Sequence, residues 1–144
     1  MSDLTKLYNQ DLNLWREGIK AAIQNKDVRN MDWDNLLEEI IDMGASEKRA
    51  LRSYTRRLIE HILKLKFWES EQEWNKKGWE REVINFRQEI TYILQDSPSL
   101  KNYLQNNYDD WLAKSIEAMN REFTIPQDTS LPLEIIMQND YFGQ

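Results

Sequence analysis

The chain contains no cysteine, which excludes disulfides, thiol nucleophiles and thiolate-held metals. It has one histidine, His61, so multi-histidine sites and ordinary zinc enzymes are out of reach. A carboxylate-bridged di-metal bundle needs a Glu-x-x-His pair on each of two helices. Here Leu58 stands three before His61 and no second histidine exists. Glycine and proline are scarce at four and three, and Pro98, Pro126 and Pro132 all lie in the last third. The first 97 residues therefore run without a proline break. β-branched residues are thinly spread and do not alternate, which disfavours strands and favours helices. No apolar run exceeds three residues, so neither a signal peptide nor a membrane span is expected. No stretch matches a P-loop, a dinucleotide fingerprint, a nucleophile elbow or a zinc-protease helix.

What is present suits one soluble domain, with the core over about 3–124 and a tail over 125–144. The 144 residues weigh 17.4 kDa, a size at which about two-thirds of the unfolded surface can be buried. Apolar residues make up 40% of the chain, including six Trp, six Tyr and four Phe, enough to fill a core. Nineteen Lys and Arg against 25 Asp and Glu give a net charge of −6. That field repels phosphate, so general affinity for nucleic acid or an anionic membrane is not expected.

Helical periodicity divides the chain into five main segments. Leu4, Leu7, Tyr8, Leu14, Trp15, Ile19 and Ala22 share a stripe, predicting a helix over about 3–24 that the polar run Asn25–Asn30 ends. A second helix starts near Asp32 as N-cap, with Trp33, Leu36, Leu37, Ile40, Ile41 and Met43 on one side, and Gly44 reads as its C′ residue. Ser46 then caps a third helix reaching Trp68. Residues 69–78 read as a polar connection. Trp79, Val83, Phe86, Ile90, Ile93 and Leu94 define a fourth helix ending by Asp96. Ser97-Pro98 starts a fifth, which stops before Pro126. The tail is loop-like, with one helical turn over about 132–139. The expected fold is all-α: an antiparallel bundle of about five helices with the tail wrapped on it. Trp15, Trp33, Trp79 and Trp111 should be buried and Trp74 the most exposed.

Four polar residues fall on apolar stripes: Asp11, His61, Arg87 and Glu122. A buried charge must find a partner, and these four could satisfy one another. One reading is an acid–base site in which Asp11 or Glu122 orients His61. The other is a structural network, which the absence of a nucleophile or phosphate cradle favours. Arg87, the only permanent cation of the four, would then fork onto Asp11 or Glu122. Its removal is expected to cost about 3–5 kcal/mol through the abandoned carboxylate.

Two charge groups lie outside this set. Glu38, Glu39 and Asp42 could hold a hard cation such as Mg²⁺, but they lie opposite the Trp33–Ile40 stripe and read better as a solvated face. Arg49, Arg52 and Arg56 share a face of the third helix and form a candidate anion or nucleic-acid patch. Charge complementarity with the acidic second helix explains the same pattern without a ligand. No metal and no cofactor is expected.

The runs LYNQDLNLW (Leu7–Trp15), LLEEIIDMGASEKRALRS (Leu36–Ser53) and LIEHILKLKFW (Leu58–Trp68) occur in that order. They are followed by Trp79, Arg87, Ile90, DSPSL (Asp96–Leu100), Tyr108 and the Arg121–Glu122 pair. Together they resemble the bacterial domain-of-unknown-function family 29 over nearly the whole chain, to about residue 142. The family pattern has a proline-containing linker after the third helix and a small residue where Trp111 stands, and this chain departs from both. The resemblance implies a small all-helical cytoplasmic domain and implies no activity.

Three functional readings follow. The first is a protein-interaction or adaptor module, for which Trp74 and Tyr141–Phe142 are candidate exposed aromatics. The second is a small-ligand-binding or enzymatic domain using Asp11, His61, Arg87 and Glu122. The third is nucleic-acid contact through Arg49, Arg52 and Arg56. The first is preferred, with a protein as partner and no membrane.

Overall fold

A computed structural model describes residues 3–144. Among them are six α-helices, one short 3-10 turn and no strand: α1 (Asp3–Gln10), α2 (Leu12–Gln24), α3 (Trp33–Phe67), the turn Glu69–Glu71, α4 (Gln72–Asp96), α5 (Leu100–Met119) and α6 (Leu133–Ile136). The fold is all-α, as the periodicity predicts. The chain divides into two compact units, Met1–Ser46 and Glu47–Gln144, and α3 runs through the division without a break.

Several helix boundaries differ from the sequence expectation. The predicted 3–24 helix is interrupted at Asp11, which adopts extended backbone (φ −153°, ψ 95°) and accepts the Leu14 N–H at 3.0 Å as the N-cap of α2. An Asp at that position competes with the helix for local hydrogen bonds. α2 ends at the expected polar run in a Schellman arrangement. Lys26 takes the left-handed conformation (φ 53°), and the Lys26 and Asp27 N–H groups donate to the Ile23 and Ala22 carbonyls.

The predicted second and third helices are one. Gly44 is not a C′ residue and Ser46 caps nothing, because strong helix formers flank both and no proline intervenes. A lone mid-helix glycine costs only about 1 kcal/mol, less than starting a new helix.

Residues 69–78 are not a polar connection either: α4 begins at Gln72. The Gln72 side-chain amide donates at 2.5 Å to the Leu65 carbonyl, an acceptor near the end of α3, and at 3.4 Å to the Lys64 carbonyl, which also accepts the Trp68 N–H at 3.0 Å. Ser97 does not cap α5; it closes α4, and its hydroxyl donates to the Glu47 carboxylate at 2.9 Å.

The second unit holds the main core. Leu51, Leu58, Ile59, Ile62 and Leu63 of α3 pack with Val83, Phe86 and Ile90 of α4, with Leu104, Tyr108 and Trp111 of α5, and with Ile125, Leu131 and Ile136 of the tail. Each such side chain contributes roughly 1.5–3 kcal/mol through lost apolar surface. Trp68 extends the core in an aromatic stack, lying between Trp79 (5.9 Å) and Phe123 (4.9 Å). Of the four Trp expected inside, Trp15 and Trp111 are buried, Trp79 is half-buried, and Trp33 is exposed. The apolar stripe that Trp33 belongs to is left largely uncovered.

The tail is fastened by polar contacts to its backbone. Arg87, 3% exposed, donates from Nε to the Ile136 carbonyl (2.9 Å), from Nη1 to Asn139 (3.3 Å) and from Nη2 to Tyr141 (2.8 Å). The Phe142 ring lies 5.8 Å from its guanidinium. The Tyr108 hydroxyl donates to the Leu131 carbonyl at 2.5 Å. Gly143 (φ 95°) comes so close to α3 that an added Cβ would sit 3.2 Å from the Ile62 carbonyl. Arg87→Met should therefore destabilise the fold by about 2–4 kcal/mol, because one buried and two partly buried bonds to tail carbonyls lose their charged donor. Arg52→Ala, at an exposed position, should change it by less than about 0.5 kcal/mol. Paired urea melts decide this: equal small losses would mean that Arg87 does not hold the tail. Gly44→Ala should stabilise by about 1 kcal/mol, since the added methyl meets nothing within 4 Å. A lower urea midpoint for that variant would contradict the uninterrupted α3.

Candidate functional site

In the first unit only a few side chains are enclosed. Trp15 is 2% exposed; its indole N–H donates to Asp32 Oδ2 at 3.0 Å, and Asn35 Nδ2 donates to the same oxygen at 2.7 Å. Tyr8 meets Trp15 edge-on at 4.9 Å and donates its hydroxyl to Glu39 Oε1 at 2.8 Å. That bond to a carboxylate, with the charges of Asp42 and Glu38 nearby, pushes the Tyr8 hydroxyl up to about 12. These contacts tie α1, α2 and the start of α3 together through a narrow centre.

The rest of the first unit's apolar surface faces outward. Among the described residues, nine exposed large apolar side chains lie before Ser46 and three after it. Trp33, Leu37, Ile40, Ile41 and Met43 form an exposed apolar strip on α3, each more than half accessible. Between α2 and this strip runs a groove of about 360 Å³, floored by Trp15, Ile19, Ile23, Leu36, Ile40 and Met43. Arg16 and Lys20 stand on its α2 rim and Glu39 on its α3 rim. Isolated exposed apolar residues are ordinary; a contiguous group of this kind is not.

The second unit carries a basic cleft of about 310 Å³ lined by Arg49, Arg52, Ser53, Arg56, Arg57 and Glu60. The predicted patch residues Arg49, Arg52 and Arg56 are thus brought together. Arg56 donates weakly from Nε to Ser115 Oγ (3.4 Å) and lies 3.9 Å from Glu60. Only one other ion pair, Asp110–Lys114, occurs among the described residues. Partial burial raises the Glu60 pKa despite its cationic neighbours.

The predicted polar cluster does not assemble. Asp11 is exposed and serves as a helix cap. Glu122 is exposed beyond the end of α5, because the helix stops at Met119 and its stripe goes no further. Arg87 is buried, as its stripe position implied, but its partners are tail carbonyls and not carboxylates. His61 is half-buried, meets Phe86 edge-on at 5.3 Å, and donates from Nδ1 to the Arg57 carbonyl at 2.8 Å. Among the described residues His61 forms no ion pair with a carboxylate. Glu38 and Asp42 are exposed and Glu39 accepts from Tyr8; among the described residues no three His, Asp or Glu side chains gather in a metal-holding arrangement. Trp74 is the most exposed of the large apolar residues at 82%. Tyr141 and Phe142 are instead half-buried against the second unit, where Arg87 holds them.

Sequence reasoning missed the groove because it assigned the Trp33–Met43 stripe to the core. The signal was available: α3 carries apolar residues around more of its circumference there than two short neighbours can cover.

The helices, the uncovered groove and the basic cleft are those of an all-helical protein. The sequence model of the family Domain of unknown function DUF29 matches residues 7–142, and the chain belongs to that family. No curated protein and no solved structure matches the chain. No helix among the described residues is long and apolar enough to cross a membrane.

Burial depresses the His61 pKa below its ordinary 6.5, outweighing the bond to the Arg57 carbonyl. As pH falls through 6.5 the unfolded chain takes up this proton first, so the His61 contribution to stability is lost on acidification. The Glu60 shift acts in the opposite sense. Comparing wild type with His61→Leu isolates the histidine. From about pH 7 to about pH 5 the wild type should lose more stability in urea melts than the variant. Equal losses would remove His61 from the pH response.

Proposed function

We propose that this chain is a helical protein-interaction module whose contact surface is the groove between α2 and the start of α3. The occupant is an amphipathic helix of another protein, apolar on one face, with carboxylates along the edge that meets Arg16 and Lys20. The observation that carries this reading is the concentration of exposed large apolar residues in the first unit. Helix-in-groove recognition uses apolar anchors at helical spacing, and Ile23, Ile40 and Met43 offer pockets of that kind. Glu39 already accepts from Tyr8, while Arg16 and Lys20 have no ion-pair partner among the described residues. The open charge on the rim is therefore positive, and it selects an acidic edge.

A designed peptide of about five helical turns, with leucines on one face and glutamates elsewhere, tests this. Titrated into ¹⁵N-labelled protein, it should shift amides of α2 and of the first turns of α3. The shifts should vanish in an Ile40→Asp/Met43→Asp variant, whose changes lie at exposed positions and leave the fold intact by circular dichroism. The same peptide with lysines in place of glutamates should bind at least about tenfold more weakly, the range of a lost pair of rim charges. Equal binding of both peptides, or shifts that survive the double variant, would reject the groove as the site.

A further inference from the structure

The basic cleft of the second unit holds more positive charge than its own side chains neutralise. Its lining is Arg49, Arg52, Ser53, Arg56, Arg57 and Glu60, all from the part of α3 that belongs to that unit. At about 100° per residue Arg49, Arg52 and Arg56 fall within an arc of about 60°, with Arg57 on the same side. Arg49, Arg52 and Arg57 are exposed, and their side chains make no hydrogen bond or ion pair among the described residues. Like charges on adjacent turns repel one another and weaken a helix slightly. An anion from solution relieves that repulsion.

Two features separate this cleft from an ordinary charged face. Arg56 donates from Nε to Oγ of Ser115, a fully buried side chain of α5, at 3.4 Å, and its Nη2 lies 3.9 Å from Glu60. One guanidinium is thus held in place by a second helix, while three others are free to close on a ligand. Glu60 is the only acid in the lining, one carboxylate against four cations. The charges that reach Glu60 from outside the cleft are those of Lys64 and Glu122, one of each sign. They leave the excess positive.

The lining also defines the chemistry of the ligand. It contains no aromatic ring and no aliphatic side chain, so it offers no stacking platform for a base and no pocket for an apolar peptide anchor. Guanidinium forks match phosphate oxygens, and a dense group of cations favours the ligand with the densest negative charge. From Arg49 to Arg56 the helix rises about 10 Å, a reach that one phosphate does not fill and a short row of them does. A nucleic-acid strand would continue past the cleft over a chain of net charge −6. A compact anion stays within the roughly 10 Å over which the arginines act.

We propose that the arginine cleft is a binding site for a short linear polyphosphate, two or three phosphates long, recognised through its oxygens alone. Arg49, Arg52 and Arg56 fork onto successive phosphates, and Arg57 and Ser53 donate from the flank. Whatever is attached to the end of the phosphates adds nothing, so free tripolyphosphate and adenosine triphosphate are equivalent ligands. The site lies wholly in the second unit and does not depend on the apolar groove.

Isothermal titration calorimetry of the full chain with phosphate, pyrophosphate and tripolyphosphate at about 50 mM salt tests this. Affinity should rise along that series and fall at least about tenfold at about 500 mM salt. Adenosine triphosphate should bind as tripolyphosphate does. Arg52→Ala should weaken tripolyphosphate binding about tenfold, the loss of one charge-assisted contact. Arg52→Lys should also weaken it, since an ammonium group keeps the charge and cannot fork. Glu60→Gln should tighten it, because the carboxylate that repels the phosphates is gone. Arg81→Ala, at an exposed position of α4 outside the cleft, should leave it unchanged. Circular dichroism checks that each variant folds. Absence of tripolyphosphate binding at the lower salt overturns the proposal, as does equal affinity for sulfate and tripolyphosphate. So does weaker binding by Glu60→Gln, or equal losses in Arg52→Ala and Arg81→Ala. Tighter binding of adenosine triphosphate than of tripolyphosphate overturns recognition by phosphates alone. A phosphoserine peptide or single-stranded RNA that binds through Arg52 more than about tenfold tighter than tripolyphosphate assigns the cleft to a macromolecule and overturns the proposal as well.

Discussion

Arg87 is the residue on which the second unit most depends. Its guanidinium is almost fully buried and is satisfied by carbonyls spaced along Ile136, Asn139 and Tyr141. Burial lowers its pKa, with the charge of Asp140 acting against that shift. A planar fork with donors in several directions can collect three carbonyls from one irregular segment, which an ammonium group cannot do. The segment has little regular structure of its own, so its carbonyls have few other partners. One side chain thus fixes the path of the tail, and the tail in turn places Ile125, Leu131 and Ile136 over the core.

The two units differ in how far they satisfy their own apolar surface. The second encloses side chains from three helices and the tail, and among its described residues only Trp74, Ile84 and Tyr92 remain as exposed large apolar groups. The first has a centre of Trp15, Ile19 and Ala22 held by the Trp15–Asp32 bond, with apolar residues outward beyond it. A unit of that size buries a smaller share of its surface than a larger one. An apolar excess therefore stays exposed on it, and the groove between α2 and α3 is where that excess gathers.

The sequence made some of these features legible and concealed others. The stripes of α4 and α5 were readable because each has one apolar face against one core, and Val83, Phe86, Ile90, Leu104 and Trp111 lie where the wheel puts them. The stripe from Trp33 to Met43 has the same periodicity and a different fate. Periodicity reports that a helix has an apolar side, and says nothing of whether the rest of the chain supplies a cover. Gly44 misled for a related reason: a glycine is a helix stop only when the residues after it also leave the helix, and Ala45 to Lys48 do not. Arg87 was found as a buried cation, but its partners were missed because backbone carbonyls leave no mark in a residue pattern.

Composition and periodicity by themselves determined that the chain is helical, that it lacks the residues for thiol and multi-histidine chemistry, and that α3 is acidic before Ala45 and basic after it. These are properties of residue type and local spacing, which any conformation of the chain retains. Tertiary structure decided that Asp11 is a cap, that Glu122 stands in solvent, that Arg87 binds the tail, and that one apolar stripe is covered while another is open. Each of those outcomes depends on which distant segments meet. That is settled by the competition of all apolar and polar groups for burial at once.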